Sequence, residues 1–265
     1  MNDRRPLWED YLCLWRRVMP RFSGKIVIVI GGTSGIGLAS AKLFAEQGAR
    51  VLVTGHSKDA IADARRDLDG DVTVLESDAT DSDDIAGLAE HISQNLKAID
   101  LLFFNAGTTV MRPFSDVSAD EYDKLMGLNA RSPFFVVQEL APLIRDGGAI
   151  VVTTSVANVK GIVGNIVYSA AKAALRSMVR TWARELAPRK IRVNAVTPGP
   201  ISTSILDKVM GKEAAEKARA TMLENNPMKR FGHPDEVARA VAFLGFDATF
   251  TTGAELPVDG GASQL

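Results

Sequence analysis

The stretch "KIVIVIGGTSGIGLASAKLFAEQGA", residues 25–49, decides the fold. Five β-branched apolar residues follow Lys25 without a break, the pattern of a strand covered on both faces of a sheet. Leu38, Ala41, Leu43, Phe44 and Ala45 then suit a helix that ends at Gly48. Between strand and helix lie Gly31, Gly35 and Gly37, spaced G-x-x-x-G-x-G. Glycine there lets backbone approach a pyrophosphate, and the helix N-terminus adds free N–H groups and the positive end of its dipole. A glycine turn alone is weak evidence, because tight turns use glycine anyway. Placed between a strand and a helix at the head of a βαβ series, it points to a dinucleotide.

The same alternation continues outward. Further strands are expected over 50–55, 71–78, 99–107, 148–155, 191–199 and 254–261, with helices between them, one of them long, around 118–145. Strands alternating with helices imply right-handed crossovers and a parallel sheet. The expected architecture is α/β: a single doubly wound parallel sheet of about seven strands with helices on both faces. No internal repeat and no long Pro/Gly/Ser linker divides residues 21–265, which read as one domain. Residues 1–20 stand apart. Leu7, Trp8, Tyr11, Leu12, Trp15 and Val18 recur at helical spacing, with Arg16 and Arg17 near the end and without the apolar core of a secretory signal. Two readings stand: an amphipathic helix that docks on the body, a partner or a membrane surface, or residues preceding a natural start at Met19.

Composition excludes several classes. Thirty-one basic against 32 acidic residues give a net charge of −1, so no global field draws in nucleic acid. A single cysteine, Cys13, permits no intrachain disulfide framework, and His56, His91 and His233 lack metal-ligand spacing. No apolar run reaches the ~18 residues of a membrane span. The expectation is a cytoplasmic protein without metal.

In "NIVYSAAKAAL" (165–175), Tyr168 stands four residues before Lys172. On a helix such a pair shares a face, with Cβ atoms about 5–6 Å apart. A cation near a phenol favours the phenolate and lowers its pKa, which would suit proton transfer near neutral pH. Taken alone, the pair is more simply a chance surface Tyr and Lys. Its company changes that. Gly31, Gly35-Ile36-Gly37, "NAG" at 105–107, Asn129, Ser155, Tyr168, Lys172 and "PGP" at 198–200 occur in one order and spacing over nearly the whole chain from about residue 24. In this the sequence resembles the short-chain dehydrogenase/reductase family, including its ketone reductases and 3-oxoacyl carrier-protein reductases.

The resemblance implies a Rossmann-type fold and hydride transfer between a nicotinamide cofactor and a carbonyl or secondary alcohol. By the same resemblance, Tyr168 exchanges a proton with the substrate oxygen, which Ser155 holds and polarises. Lys172 lowers the tyrosine pKa and binds the nicotinamide ribose, and Asn129 supports a water chain to bulk. The implied cofactor-binding set is Gly31, Thr33, Ser34, Gly35, Ile36, Gly37, His56, Ser57, Asp78, Ala79, Asn105, Ala106, Gly107, Tyr168, Lys172, Pro198, Gly199, Ile201 and Thr203. Within it Asp78 meets the adenine, Asn105 to Gly107 form the adenine-ribose floor, and Thr203 meets the carboxamide. The family usually has Thr where this chain has Ile30, which predicts a softer glycine loop.

Cofactor choice turns on the end of the second strand. An acid there would grip the ribose 2′-hydroxyl of NAD. "VTGHSKD" offers none at the turn, and Thr33, Ser34, His56, Ser57 and Lys58 could accept a 2′-phosphate. NADP(H) is therefore favoured, with NAD(H) open; histidine, which ordinarily titrates near ~6.5, would be a partial and pH-dependent cation. A lid about 201–227 carries Ile205, Leu206, Val209, Met210, Met222 and Leu223, and the loop before Tyr168 carries Val156, Val159, Ile162 and Val163. An apolar wall around a polar centre suits an uncharged or lipophilic ketone. A carrier-protein substrate would need a basic patch, for which Arg112, Arg131 and Lys160 are candidates. A non-catalytic nucleotide-sensing or scaffold protein is the reading from another class. The resemblance further implies a homotetramer built through the helices around 118–145 and 168–187 and the last strand.

Overall fold

The computed structural model describes residues 20–265, so the amphipathic stretch expected before Met19 lies outside the described residues. Seven strands, β1 (Ile26–Ile30), β2 (Arg50–Gly55), β3 (Val72–Glu76), β4 (Ile99–Phe104), β5 (Ile144–Thr153), β6 (Arg192–Pro198) and β7 (Glu255–Val258), form one sheet in the order β3-β2-β1-β4-β5-β6-β7. Every neighbouring pair is parallel. The chain moves outward from β1 to β3, then crosses back to lay β4 on the other side of β1. That reversal opens a crevice beyond the strand C-termini, where open α/β sheets bind ligands.

The helices follow the expected phase. Alternate residues of a strand face opposite sides. Ile28, Ile30, Leu102, Phe104, Ile150 and Val152 therefore face one layer, packed against α3 (Ser82–Asn95), α5 (Ser132–Leu140) and α6 (Ile166–Leu186) through Leu88, Ile92, Val136 and Leu175. Val27, Val29, Leu101 and Phe103 face the other, where α1 (Gly35–Glu46) supplies Ala41 and Phe44 and α9 (Pro234–Ala242) supplies Val237 and Val241. Each fully buried side chain of this size contributes roughly 1.5–3 kcal/mol. The central strands are thus stiff supports for whatever their C-terminal ends carry.

One expected element differs. The helix anticipated over 118–145 is three pieces: α4 (Ala119–Met126), a π-helical turn over Gly127–Arg131, and α5. Asn129 explains the interruption, because its Nδ2 donates to the Leu125 carbonyl at 2.9 Å. Pro133 then opens α5, and a 3-10 turn over Ala141–Leu143, containing Pro142, ends the run before β5 starts at Ile144. Segment 201–227 holds α7 (Ile205–Met210) and α8 (Lys212–Asn225); the remaining helix, α2 (Lys58–Asp67), joins β2 to β3.

Candidate active site

The turn between β1 and α1 is closed mainly by backbone hydrogen bonds. Gly31 and Gly32 both donate N–H to the Thr54 carbonyl, at 3.1 and 3.0 Å, and Asn105 and Ala106 donate to Ile30 O at 2.9 and 3.0 Å. Asn105 Nδ2 adds a bond to Gly31 O at 3.0 Å. The Ile30 side chain packs in the core and its carbonyl ties β1 to β4. Gly31 is obligatory, with φ +74°, and a Cβ there would lie 2.6 Å from Ala106 Cα. Gly37 packs so closely that a Cβ would meet Gly31 O at 2.2 Å. The N-cap of α1, Ser34, makes no side-chain capping bond, and no acid occupies the first turn. Its first N–H groups are left for an anion, the arrangement a pyrophosphate requires.

This turn opens a cleft of about 340 Å³ over the switch point. Gly31, Thr33, Ser34, Gly35, Ile36, His56, Asp78, Ala79, Asn105, Ala106, Gly107 and Thr203 all line it. The others lie elsewhere. Gly37 serves the packing of the turn, and Ser57 caps α2 by accepting from Ala60 N. Pro198 pairs with Val258, and a Cβ on Gly199 would sit 2.7 Å from Asp259 Cα. Ile201 forms a bridge to Gly232. Thr80 donates backbone N–H and hydroxyl to one oxygen of Asp78, both at 2.8 Å. The backbone bond first, then the hydroxyl and nearby His56, hold that carboxyl below the usual carboxylate range against partial burial. The cleft residues Ser77, Thr108, Leu128 and Thr153 had no signal in the sequence, because they reach it only through the ends of neighbouring strands and loops.

At the inner end of the cleft, β5 and α6 bring the polar residues together. Tyr168 and Lys172 lie one turn apart near the start of α6, and Ser155 lies two residues past the end of β5. Lys172 Nζ donates to Thr153 O at 2.8 Å and lies 5.6 Å from the Tyr168 ring centroid. Burial lowers the Lys172 pKa to about 8. Burial pushes the Tyr168 phenol up from its ordinary value, while the neighbouring Ser155 hydroxyl pulls the other way. The lowering expected from Lys172 is thus absent, because desolvation dominates and the ammonium is directed at a carbonyl. Asn129 is fully buried; Nδ2 also donates to Thr108 O at 2.9 Å, and Oδ1 accepts from Thr108 N at 3.3 Å. A Cβ on Gly107 would lie 2.8 Å from Asn129 Oδ1 and 3.4 Å from Lys172 Nζ, so both groups flank one α-carbon. Thr153 closes the circuit, its hydroxyl donating to Asn105 Oδ1 at 3.0 Å.

The apolar wall is less uniform than expected. Val156 is buried, Val159 and Val163 are exposed, and Ile205 and Val209 of α7 line the dinucleotide cleft. Nor do the three basic candidates form a free patch. Arg112 pairs with Glu121 at 2.8 Å, Arg131 stacks on Phe135 with 4.7 Å to the centroid, and Lys160 donates to Ala262 O at 2.6 Å. Among the described residues no helix is long and apolar enough to cross a membrane.

A glycine cradle at the switch point of a parallel sheet, opening onto a half-buried tyrosine one helical turn from a buried lysine, defines a dinucleotide-dependent oxidoreductase. Comparison with known proteins agrees. Residues 31–263 match a family model described as enoyl-(acyl carrier protein) reductase. The chain is 37% identical over 247 residues to the 3-oxoacyl-(acyl-carrier-protein) reductase FabG of Thermotoga maritima, covering 91% of this chain and 98% of that one. It is 35% identical over 250 residues to cyclopentanol dehydrogenase of Comamonas testosteroni, with 92% and 98% covered. The crystal structure of levodione reductase superposes with a TM-score of 0.83 at 30% identity, covering 92% of this chain and 99% of that chain. The chain belongs to the short-chain dehydrogenase/reductase family. Its activity is hydride transfer between an NAD(P) cofactor and a carbonyl or alcohol substrate.

Proposed function

We propose that the chain is an NADP(H)-dependent ketone reductase or secondary-alcohol dehydrogenase acting on an uncharged or lipophilic ketone. The observation that carries this is the meeting of Ser155, Tyr168 and Lys172 at the end of β5, beside the cleft. When bound, the nicotinamide supplies or accepts the hydride. The Ser155 hydroxyl donates to the substrate oxygen and fixes it against the Tyr168 phenol. Tyr168, held protonated by burial, gives that oxygen its proton in reduction and takes it back in oxidation. Lys172 holds the cofactor ribose, and with a pKa of about 8 it can pass a proton toward Asn129. Gly31 to Gly37 would receive the pyrophosphate and Asp78 and Ala79 the adenine; Thr203, with Pro198, Gly199 and Ile201 beyond the cleft, would border the nicotinamide, a role drawn from the family resemblance. Segment 201–227 covers the substrate, and a cytoplasmic setting belongs to the same reading.

The preference for NADP(H) is supported by the end of β2. A Cβ at Gly55 would lie 2.6 Å from Thr33 Cγ2, so the acid that would grip an NAD ribose has no room while Thr33 stands there. Thr33, His56 and the N-terminus of α2 at Ser57 then face the 2′ position. The Thermotoga relative favours a carrier-protein substrate; the internal partners of Arg112, Arg131 and Lys160 count against it. Paired titrations of NADPH and NADH, followed by turnover of cyclopentanone with Tyr168→Phe as control, test the proposal. NADPH is expected to bind at least about tenfold tighter, and Tyr168→Phe to lower kcat by about a hundredfold or more. Tighter NADH would overturn the cofactor assignment, and full activity in Tyr168→Phe would overturn the mechanism.

A further inference from the structure

Glu255, the first residue of β7, belongs to none of the motifs above, yet it bonds residues from four segments around the site. Its Oε1 accepts from Thr154 Oγ1 at 2.9 Å, from Thr197 Oγ1 at 2.7 Å, and from Asn158 Nδ2. Its Oε2 pairs with Arg176 Nε at 2.7 Å, and only 15% of the Glu255 side chain is exposed. Thr154 immediately precedes Ser155, and Asn158 ends the 3-10 turn that Ser155 opens. Arg176 lies one helical turn beyond Lys172 on α6. The two threonine hydroxyls also touch each other at 2.7 Å, either serving as donor. With one proton each, the two hydroxyls share these contacts rather than making all of them at once, Thr154 Oγ1 also facing Val196 O at 3.2 Å; a carboxylate, which only accepts, suits such a pair.

The placement explains how β5 presents its last residues. Thr153 faces the cofactor side, through Asn105 and Lys172, and Thr154 points the opposite way, into Glu255. An ion pair whose arginine is 40% exposed is weak evidence for stability, because solvent screens its attraction. Geometry is what this one secures. We propose that Glu255, held by Arg176, is a positioning residue that fixes Ser155 against Tyr168, a role that rests on the function assigned to those two residues above.

Glu255→Gln keeps the size and one acceptor oxygen but ends the ion pair, and Arg176→Met ends it from the other side. Both variants are compared with Arg176→Lys, which retains a cation. Cyclopentanone turnover with NADPH, NADPH affinity and hydrogen exchange of backbone amides are measured. Glu255→Gln and Arg176→Met are expected to lower kcat about tenfold, with NADPH affinity changed less than about twofold. Exchange should quicken over residues 154–160 and stay unchanged over 31–37, and Arg176→Lys should restore most of kcat. Unchanged kcat and exchange in the folded variants would overturn the proposal. So would faster exchange across the whole sheet with kcat per folded molecule intact, the mark of a merely structural ion pair. Should wild-type protein reduce no ketone, the assigned function fails, and the exchange comparison still decides whether Glu255 orders the Ser155 turn.

Discussion

At the scale of single residues, Tyr168 and Lys172 pull the folded state in opposite directions as pH changes. Lys172 falls from 10.5 to about 8, so below pH 8 the fold carries the full cost of a desolvated ammonium. Between about 8 and 10.5 the unfolded chain holds more protons than the folded one, and stability rises with pH. That displacement corresponds to an effect on the order of 3 kcal/mol. Tyr168 acts above its ordinary value of 10.0, where the folded phenol keeps a proton that the unfolded one has lost, so stability there falls. Calorimetry of the cofactor-free protein between pH 8 and 10 should show wild type gaining stability relative to Lys172→Met, and a parallel response of the two would remove the burial argument. In turnover, Lys172→Met should be at least about a hundredfold slower at every pH.

At the scale of elements, the turn between β1 and α1 is the most exacting piece of the molecule. Gly31→Ala would force a left-handed residue and drive a methyl group into the Ala106 backbone of the β4 end. The expected result is a loss of about 2–3 kcal/mol in chemical denaturation and more than tenfold weaker NADPH binding. Wild-type affinity in that variant would show the cradle to be looser than its contacts imply. The π-helical turn at Gly127–Arg131 is a second such piece. Asn129→Ala would strand the buried Leu125 and Thr108 carbonyls, at a cost of about 2 kcal/mol or more. These elements differ in how far the sequence discloses them. Gly31, Ser155, Tyr168 and Lys172 are readable because few residue types can do their work, so identity and spacing coincide. Thr153 and Glu255 were silent, since what they do depends on which strand ends lie side by side. The break at Asn129 has a related origin: its cause is a side chain competing for a helical carbonyl, which apolar periodicity does not register.

At the scale of the whole molecule, α4, α6 and the 3-10 turn before α4 hold large apolar groups in solvent: Phe114 of that turn is 77% exposed, Ile166 57% and Tyr122 47%. Phe134 and Phe135 continue the same face. Such a surface on one copy is suited to burial against another, and it supports the proposed homotetramer. Light scattering is expected to give four chains per particle, and Tyr122→Glu combined with Phe134→Glu to give smaller particles; a clean wild-type monomer would remove the tetramer. The strand order has a further consequence, for the timing of folding. β1 is flanked by β2, its near neighbour in the chain, and by β4, which begins some seventy residues later. The carbonyl of Ile30 finds its donors only at Asn105 and Ala106. During synthesis the glycine cradle therefore stays half-built until more than a hundred residues have left the ribosome, and no nucleotide can help the first half to fold.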